Sequence, residues 1–315
     1  MKRSRRLEIG AATLVALTVA CFAGPLIIPA PPAPDPARAA LLAPGTTVTV
    51  VESRDGRTLV SPRVDARDST VVIGGHLRDV EIPRSQIVSV HRHRYWLGTD
   101  RFGRDVLSSL LIGGRISLSV AASAALISLL IGVGCGLAAA TGGRWIDAVL
   151  MRTVDGLLAF PVLFLLILVA TLFRPGPMAL VAVLGLTSWM GLSRLVRGQV
   201  LSLRSRPFIL AARAAGSTPI RIWRLHYLPN LAGPVSQDTA LRLGDLVLAE
   251  ATLSFLGLGI PPDLPTWGGM VAQGHRVMIQ GWWLATVPGL AIATLVISLA
   301  LIGDGIQQRL AIRAR

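Results

Sequence analysis

Apolar residues in this chain come in long uninterrupted blocks, not at the three- and four-residue spacing of helices packed on a soluble core. Residues 9–34, 116–143, 156–173, 175–193 and 277–303 contain no Asp, Glu, Lys or Arg. A helix crosses a bilayer in about 17–25 apolar residues, so each block is long enough. The pattern predicts an all-α membrane protein with spans near residues 9–29, 116–141, 156–173, 178–195 and 283–303. Soluble, secreted and disordered readings are excluded.

The segments between the blocks have a different texture. After the first span, Thr46-Thr-Val-Thr-Val-Val51 alternates, Asp55-Gly56 is a turn signal, and short β-rich runs follow at 58–60, 70–73 and 86–90. Alternation bounded by Asp-Gly reads as a hairpin and predicts a small extracytoplasmic β-rich insert between spans one and two. A Pro-rich run at 29–34 ends the first span, and Arg174-Pro-Gly-Pro177 supplies a tight turn between the third and fourth.

Charge supplies the orientation. The chain has 31 basic residues against 17 acids, a formal net charge of +14, although only 15% of residues are charged and mean hydropathy is +0.61. In a soluble protein that excess would suggest nucleic acid, but here the basic residues flank spans. Lys2, Arg3, Arg5 and Arg6 precede the first, seven arginines lie between Arg194 and Arg224 with no acid among them, and Arg309, Arg313 and Arg315 close the chain. The positive-inside rule makes these clusters, and both termini, cytoplasmic; their partner is lipid phosphate, not nucleic acid. Parity then demands one further crossing between residues 230 and 260, although that stretch carries Asp238, Arg242, Asp245 and Glu250. Six spans result. The chain divides into an N-terminal tail with the first span (1–34), the β-rich module (35–95), five helices (96–306) and a basic cytoplasmic tail (307–315).

Little in the sequence points to catalysis. The one lysine, Lys2, has no Gly-rich loop around it, which excludes ATP binding through a P-loop. Neither His-Glu-x-x-His nor Gly-x-Ser-x-Gly occurs. Cys21 and Cys135 lie inside apolar blocks and imply neither a disulfide nor a metal site. His76, His91 and His93 lack acidic or thiolate partners at metal-ligand spacing and read as surface histidines. The chain reads as a conduit with no catalytic residue, metal or cofactor of its own.

The arginine-rich loop, residues 199–229, contains Phe208-Ile-Leu-Ala-Ala-Arg-Ala-Ala-Gly216-Ser-Thr-Pro219 and, further on, Leu228-Pro229. An Ala-rich run favours a helix, Gly216 can take the left-handed conformation that ends it, and Thr218 can cap a second helix with Pro219 at its first position. Pro229 lies where that helix would stop. Such an elbow offers a knob for a cytoplasmic partner; the other reading is an amphipathic loop on lipid headgroups.

This stretch resembles the EAA loop of ABC-importer permeases, matching at Ala211, Ala212, Gly216, Leu228 and Pro229, with Leu210 where the family commonly has Glu. Two further segments are similar to the dipeptide/oligopeptide/nickel branch. They are 97–105 (Leu-Gly-Thr-Asp-Arg-Phe-Gly-Arg-Asp), continuing to Gly114-Arg-Ile-Ser-Leu118, and 250–259 (Glu-Ala-Thr-Leu-Ser-Phe-Leu-Gly-Leu-Gly), with Pro265-Thr-Trp-Gly268 and Gly303-Asp-Gly305 beyond it. Tyr95 stands where the branch usually has His. The resemblance covers residues 95–306 and leaves the β-rich module outside. It implies a permease subunit of the cytoplasmic membrane that moves short peptides, with nickel chelates and other small solutes as minority substrates. Its partners would be a homologous second permease, two ATPase subunits that use ATP and Mg, and an extracytoplasmic solute-binding protein. Ala211, Ala212, Arg213, Gly216, Leu228 and Pro229 would form the ATPase-coupling loop. The alternative is a stand-alone ion-coupled transporter or channel, for which the polar fifth span speaks.

Three groups carry more specific expectations. Gly98, Thr99, Asp100, Gly103, Arg104 and Asp105 form an external interfacial motif. Within it, Asp100/Arg104 and Arg101/Asp105 are i,i+4 pairs on an expected interfacial helix over 99–111, which either packs or gates the external mouth. Gly132 and Gly136, four apart, suit close helix approach, within the chain or to the second permease. Asp238, Arg242 and Asp245 share one helix face and, with Glu250, are candidates for the translocation path. The competing reading is a structural ladder that neutralises Arg242 from both sides.

Overall fold

A computed structural model describes residues 5–28, 31–66, 70–74, 79–173, 176–261 and 263–313. Lys2, Arg3, Pro29, His76, the Arg174-Pro175 half of the expected turn, and Arg315 lie outside those residues. The elements run α1 (Arg5–Ile27), β1 (Thr47–Ser53), β2 (Thr58–Ser61), β3 (Val64–Ala66), β4 (Thr70–Ile73), β5 (Val80–Pro83), β6 (Ile87–Arg94), α2 (Val106–Thr141), α3 (Arg144–Leu158), α4 (Val162–Phe173), α5 (Pro177–Arg204), α6 (Pro207–Ala214), α7 (Pro219–Ile222), α8 (Leu228–Phe255), α9 (Trp267–His275) and α10 (Trp283–Arg313). Among the described residues, α1, α2, α5 and α10 are each long and apolar enough to cross a membrane.

The apolar block over 156–173 is not the straight span expected of it. Pro161 lacks the N–H that would continue the ladder, so α3 ends before it and α4 starts after it, bent by 80°. The 12 residues of α4 rise about 18 Å, short of a hydrocarbon core of about 30 Å. Taken together, α3 and α4 make a fifth candidate, either a broken span or a re-entrant loop. The 28 residues of α8 reach about 42 Å, but its charges keep it out of the apolar set.

The chain forms two compact units. The first holds residues 1–17, 117–261 and 292–315. Its core runs from Leu137 and Ala140 of α2, through Leu192, Val196 and Val200 of α5, to Ile209, Ile222, Tyr227 and Leu231. Two α2 glycines make room for α5. A Cβ on Gly132 would stand 2.9 Å from the Leu192 Cβ, and one on Gly136 would stand 2.6 Å from the Val196 Cβ. Of the two partners open to this glycine pair, the structure supplies the one within the chain. Helix α3 is braced on α5 by Arg197, whose Nε and Nη2 donate to the two carboxylate oxygens of Asp147 at 2.5 and 2.6 Å, and by an Arg194–Asp155 pair.

The second unit holds residues 18–116 and 262–291. It contains two antiparallel three-stranded sheets, ordered β2-β1-β6 and β3-β4-β5. The expected hairpin is β1–β2, with Val51 opposite Leu59 and Gly56 at φ 79° in the turn. Val48, Val50, Val60, Tyr95 and Ala39 bury one core; Val51, Val71, Ile73 and Ile82 bury another. The small β-rich module is therefore present, as two separate sheets. His91 is exposed, and His93 meets the Tyr95 ring edge-on at 4.9 Å. Burial lowers the His93 pKa and raises that of Tyr95 to about 12.

Candidate functional site

The elbow is built by local chemistry and seated by four buried side chains. Helix α6 opens with Pro207 at its first position, where a missing N–H costs nothing. At its far end Gly216 sits at φ 75°. The Gly216 N–H donates to the Arg213 carbonyl at 2.9 Å, and the Ser217 N–H to the Ala212 carbonyl at 3.1 Å. That bond pair is a Schellman closure. Thr218 then caps α7, its Oγ1 accepting from the Arg221 N–H at 3.4 Å, with Pro219 next in the chain. Pro229 does not end this helix. The chain passes through a π-helical turn (Trp223–Tyr227) into α8, with Pro229 in its first turn.

Ile209, Ile222, Tyr227 and Leu231 plug the elbow into the α2–α5 core, and Arg213 reaches across it to donate to the Tyr227 hydroxyl at 3.3 Å. The exposed residues of the elbow combine apolar groups, Phe208, Leu210, Ala211, Ala214, Ile220, Leu225 and Leu228, with Arg206, Arg213, Arg221 and Arg224, and Ala212 is half-buried. A Cβ at Gly216 would meet no atom within 4 Å. The cost of Gly216→Ala is therefore conformational alone, about 1 kcal/mol for a left-handed non-glycine residue. We expect the thermal midpoint of the solubilised protein to fall slightly, and Gly216→Asn, which tolerates that conformation, to recover most of the loss.

One turn into the polar stretch of α8, Arg242 pairs with Asp238, its Nη2 donating to Oδ2 at 2.8 Å and its Nε at 3.0 Å. The remaining Nη1 donates to the Ser188 carbonyl of α5 at 2.5 Å. Gly191 leaves room for the guanidinium, since a Cβ there would lie 3.3 Å from Nη2. Asp245 takes no part in this pair and is exposed. The expected ladder, with Arg242 neutralised from both sides, thus has one rung plus a backbone carbonyl. Helical spacing put both aspartates within reach, but the guanidinium has turned toward α5. Glu250 is fully buried and accepts from the Ser254 hydroxyl at 2.8 Å. Gly259 folds back on Ser254, where a Cβ would stand 2.3 Å from Oγ. Gly257, at φ 76°, allows that reversal.

Residues 98–105, expected to open an interfacial helix, are not helical. Helix α2 begins only at Val106, so the interfacial helix expected from residue 99 is replaced by a tight loop. Gly98 and Gly103 both sit at φ 75°, which breaks a helix. The Asp100–Arg104 pair forms at 2.7 Å, while Asp100 Oδ1 also accepts from the Phe102 and Arg104 N–H groups. The Arg101–Asp105 pair does not form. Asp105 instead caps α2, accepting from the Leu107 and Ser108 N–H groups at 3.2 and 3.3 Å; burial raises its pKa, and these two bonds oppose the rise. Arg101 lies over the Phe102 ring at 4.8 Å. Thr99, fully buried, accepts from the Leu42 N–H at 2.8 Å and donates to the Ala39 carbonyl at 2.5 Å. A Cβ on Gly103 would strike the Asp35 carbonyl at 2.6 Å. Sequence reasoning missed the partners Asp35, Gln273 and Trp283, which reach this loop from far along the chain; no local signal marks them.

Residues 117–315 match the family of binding-protein-dependent transport system inner membrane components. A protein of Brucella suis biovar 1 named as a peptide permease is 39% identical over 216 residues, covering 68% of this chain and 72% of that one. The dipeptide transport system permease protein DppC of Bacillus subtilis is 38% identical over 217 residues, 69% of this chain and 68% of that one. A chain of the MetNI methionine ABC transporter, in inward facing conformations, shares the fold with a TM-score of 0.51 at 21% identity, over 62% of this chain and 93% of that chain. The chain belongs to the family of binding-protein-dependent inner membrane components. It is the permease subunit of an ABC importer, a multi-pass membrane protein whose family works with ATPase and binding-protein partners. A stand-alone ion-coupled transporter or channel is not favoured. The β-rich module and the 98–105 loop precede the matched family region.

Proposed function

We propose that the substrates are short peptides and that the elbow over 207–228 receives the ATPase subunit that drives their import. The carrying observation is the elbow itself, an exposed knob of apolar residues and arginines plugged by Ile209, Ile222, Tyr227 and Leu231 into the core between α2 and α5. Movement forced on it by a closing ATPase passes directly to two crossing helices. Two relatives named for peptides support the substrate class.

In this reading α1, α2, the α3–α4 pair, α5, α8 and α10 make six crossings, with both termini and the elbow cytoplasmic. The grouping of residues 18–116 with 262–291 in one compact unit supports it, because this order of crossings puts the α1–α2 and α8–α10 connections they contain on the same, external side. The Gly98–Asp105 loop then packs there as a structural brace at the entry to α2. One copy of this chain works beside a homologous second permease, two ATPases that bind ATP and Mg, and an external solute-binding protein. This chain itself holds no cofactor. Asp238, Arg242 and Asp245 line the path, with Glu250 supporting the end of α8 from within. Proteoliposomes carrying the four membrane-associated subunits, supplied with the binding protein, test the reading. ATP inside should drive uptake of labelled trialanine, and uptake that persists without ATP would overturn it.

A further inference from the structure

The three charges of the α8 stripe are not equivalent. Asp238 and Arg242 satisfy each other, and Arg242 is held to α5 through the Ser188 carbonyl. That pair braces α8 against α5. Asp245, two turns on from Asp238, is outside it and exposed. Its neighbours on the same face are Leu241 and Leu248, both about two-fifths exposed, at 43% and 44%. Asp245 lies about 26 Å along a helix of about 42 Å, well away from either end. An ionised carboxylate at such depth does not face lipid; it faces water or a cationic partner. A single carboxylate between two exposed leucines offers one orienting charge beside apolar contacts.

We propose that Asp245 receives the ammonium terminus of a peptide in transit, while Leu241 and Leu248 contact its apolar side chains. This rests on the peptide reading above and adds the group that is recognised. A carboxylate suits a primary ammonium through charge-assisted hydrogen bonds, and acetylating the peptide's terminus removes the charge while leaving the rest of the ligand in place.

The full importer in proteoliposomes, with its binding protein, is assayed for uptake of trialanine and N-acetyl-trialanine. All variants share one binding protein, so a change in the preference ratio belongs to the permease. Asp245→Asn should lower the ratio of kcat/KM for free over acetylated peptide about tenfold, and Asp245→Glu should retain it. An unchanged ratio in the Asn variant, with all subunits recovered, would overturn the proposal. So would loss of the second permease from the purified Asn complex, restored by Glu, because that marks an ion pair between permeases. If the Asn complex cannot be purified, wild-type uptake of labelled trialanine is competed with unlabelled trialanine and with propionyl-dialanine, its amine-free analogue; equal inhibition overturns the assignment. A wild-type importer that takes up both peptides equally removes the proposal alone, whereas one that takes up neither removes the peptide reading beneath it.

Discussion

Replacing Ala211 with Arg should abolish most transport without unfolding the permease. Ala211 lies on the exposed side of α6, away from the Ile209 plug that seats the elbow, so the isolated subunit should keep its thermal midpoint, as surface substitutions generally do. On that side an arginine adds bulk and a charge that a docked partner would have to desolvate. Blocking a central interface position in this way costs at least about 2 kcal/mol, which corresponds to roughly thirtyfold in affinity. The measurements are ATP-driven uptake and the fraction of ATPase retained on purification, and both should fall together. Full uptake with normal retention would show that the partner engages some other surface. Ile209→Ala is the informative contrast: it empties a fully buried position, costs about 2–5 kcal/mol of stability, and should lower the thermal midpoint as well.

Gly136→Leu is expected to destabilise the permease by about 3 kcal/mol, the upper end for overpacking a core. Its first added carbon would already lie 2.6 Å from the Val196 Cβ and 2.7 Å from the Ser193 carbonyl, and a carbonyl fixed in a helix cannot turn aside. Helices α2 and α5 would have to separate, loosening the core that seats the elbow. Gly134, two residues away, has no atom within 4 Å of its virtual Cβ. Gly134→Ala should therefore be neutral or stabilising by up to about 1 kcal/mol, the helix-propensity difference. Survival of the detergent-solubilised protein after a heating step reads both variants. Equal survival of the Leu variant and wild type would mean that α2 and α5 do not meet closely at this level.

The elbow was legible in sequence because each of its breaks is made by one residue acting on its own backbone. Gly216 supplies a positive φ, Thr218 a capping oxygen and Pro219 a preset φ. Pro229 was misread because the same rigidity that ends one helix also suits the first turn of the next, and only the π-helical turn before it joins the two. At the external motif, i,i+4 charge spacing suggested a helix, yet the carboxylates of Asp100 and Asp105 take backbone N–H partners instead. Side chains that can bond either way are decided by what surrounds them, here two glycines at positive φ and a segment 60 residues earlier in the chain that Thr99 holds.

By itself, the sequence determined the membrane class, the apolar blocks that become helices, the β1–β2 hairpin and the position of the 207–228 elbow. These depend on transfer of apolar residues from water and on short-range backbone preferences, both of which are properties of a residue and its near neighbours. Tertiary structure alone decided that the Gly132–Gly136 face meets α5, that Arg242 turns to Ser188 and leaves Asp245 outside its pair, and that Glu250 is buried beneath Ser254. Helical periodicity tells which residues share a face. Which neighbour that face meets, and which of two acids within helical reach an arginine chooses, depends on where a distant helix packs.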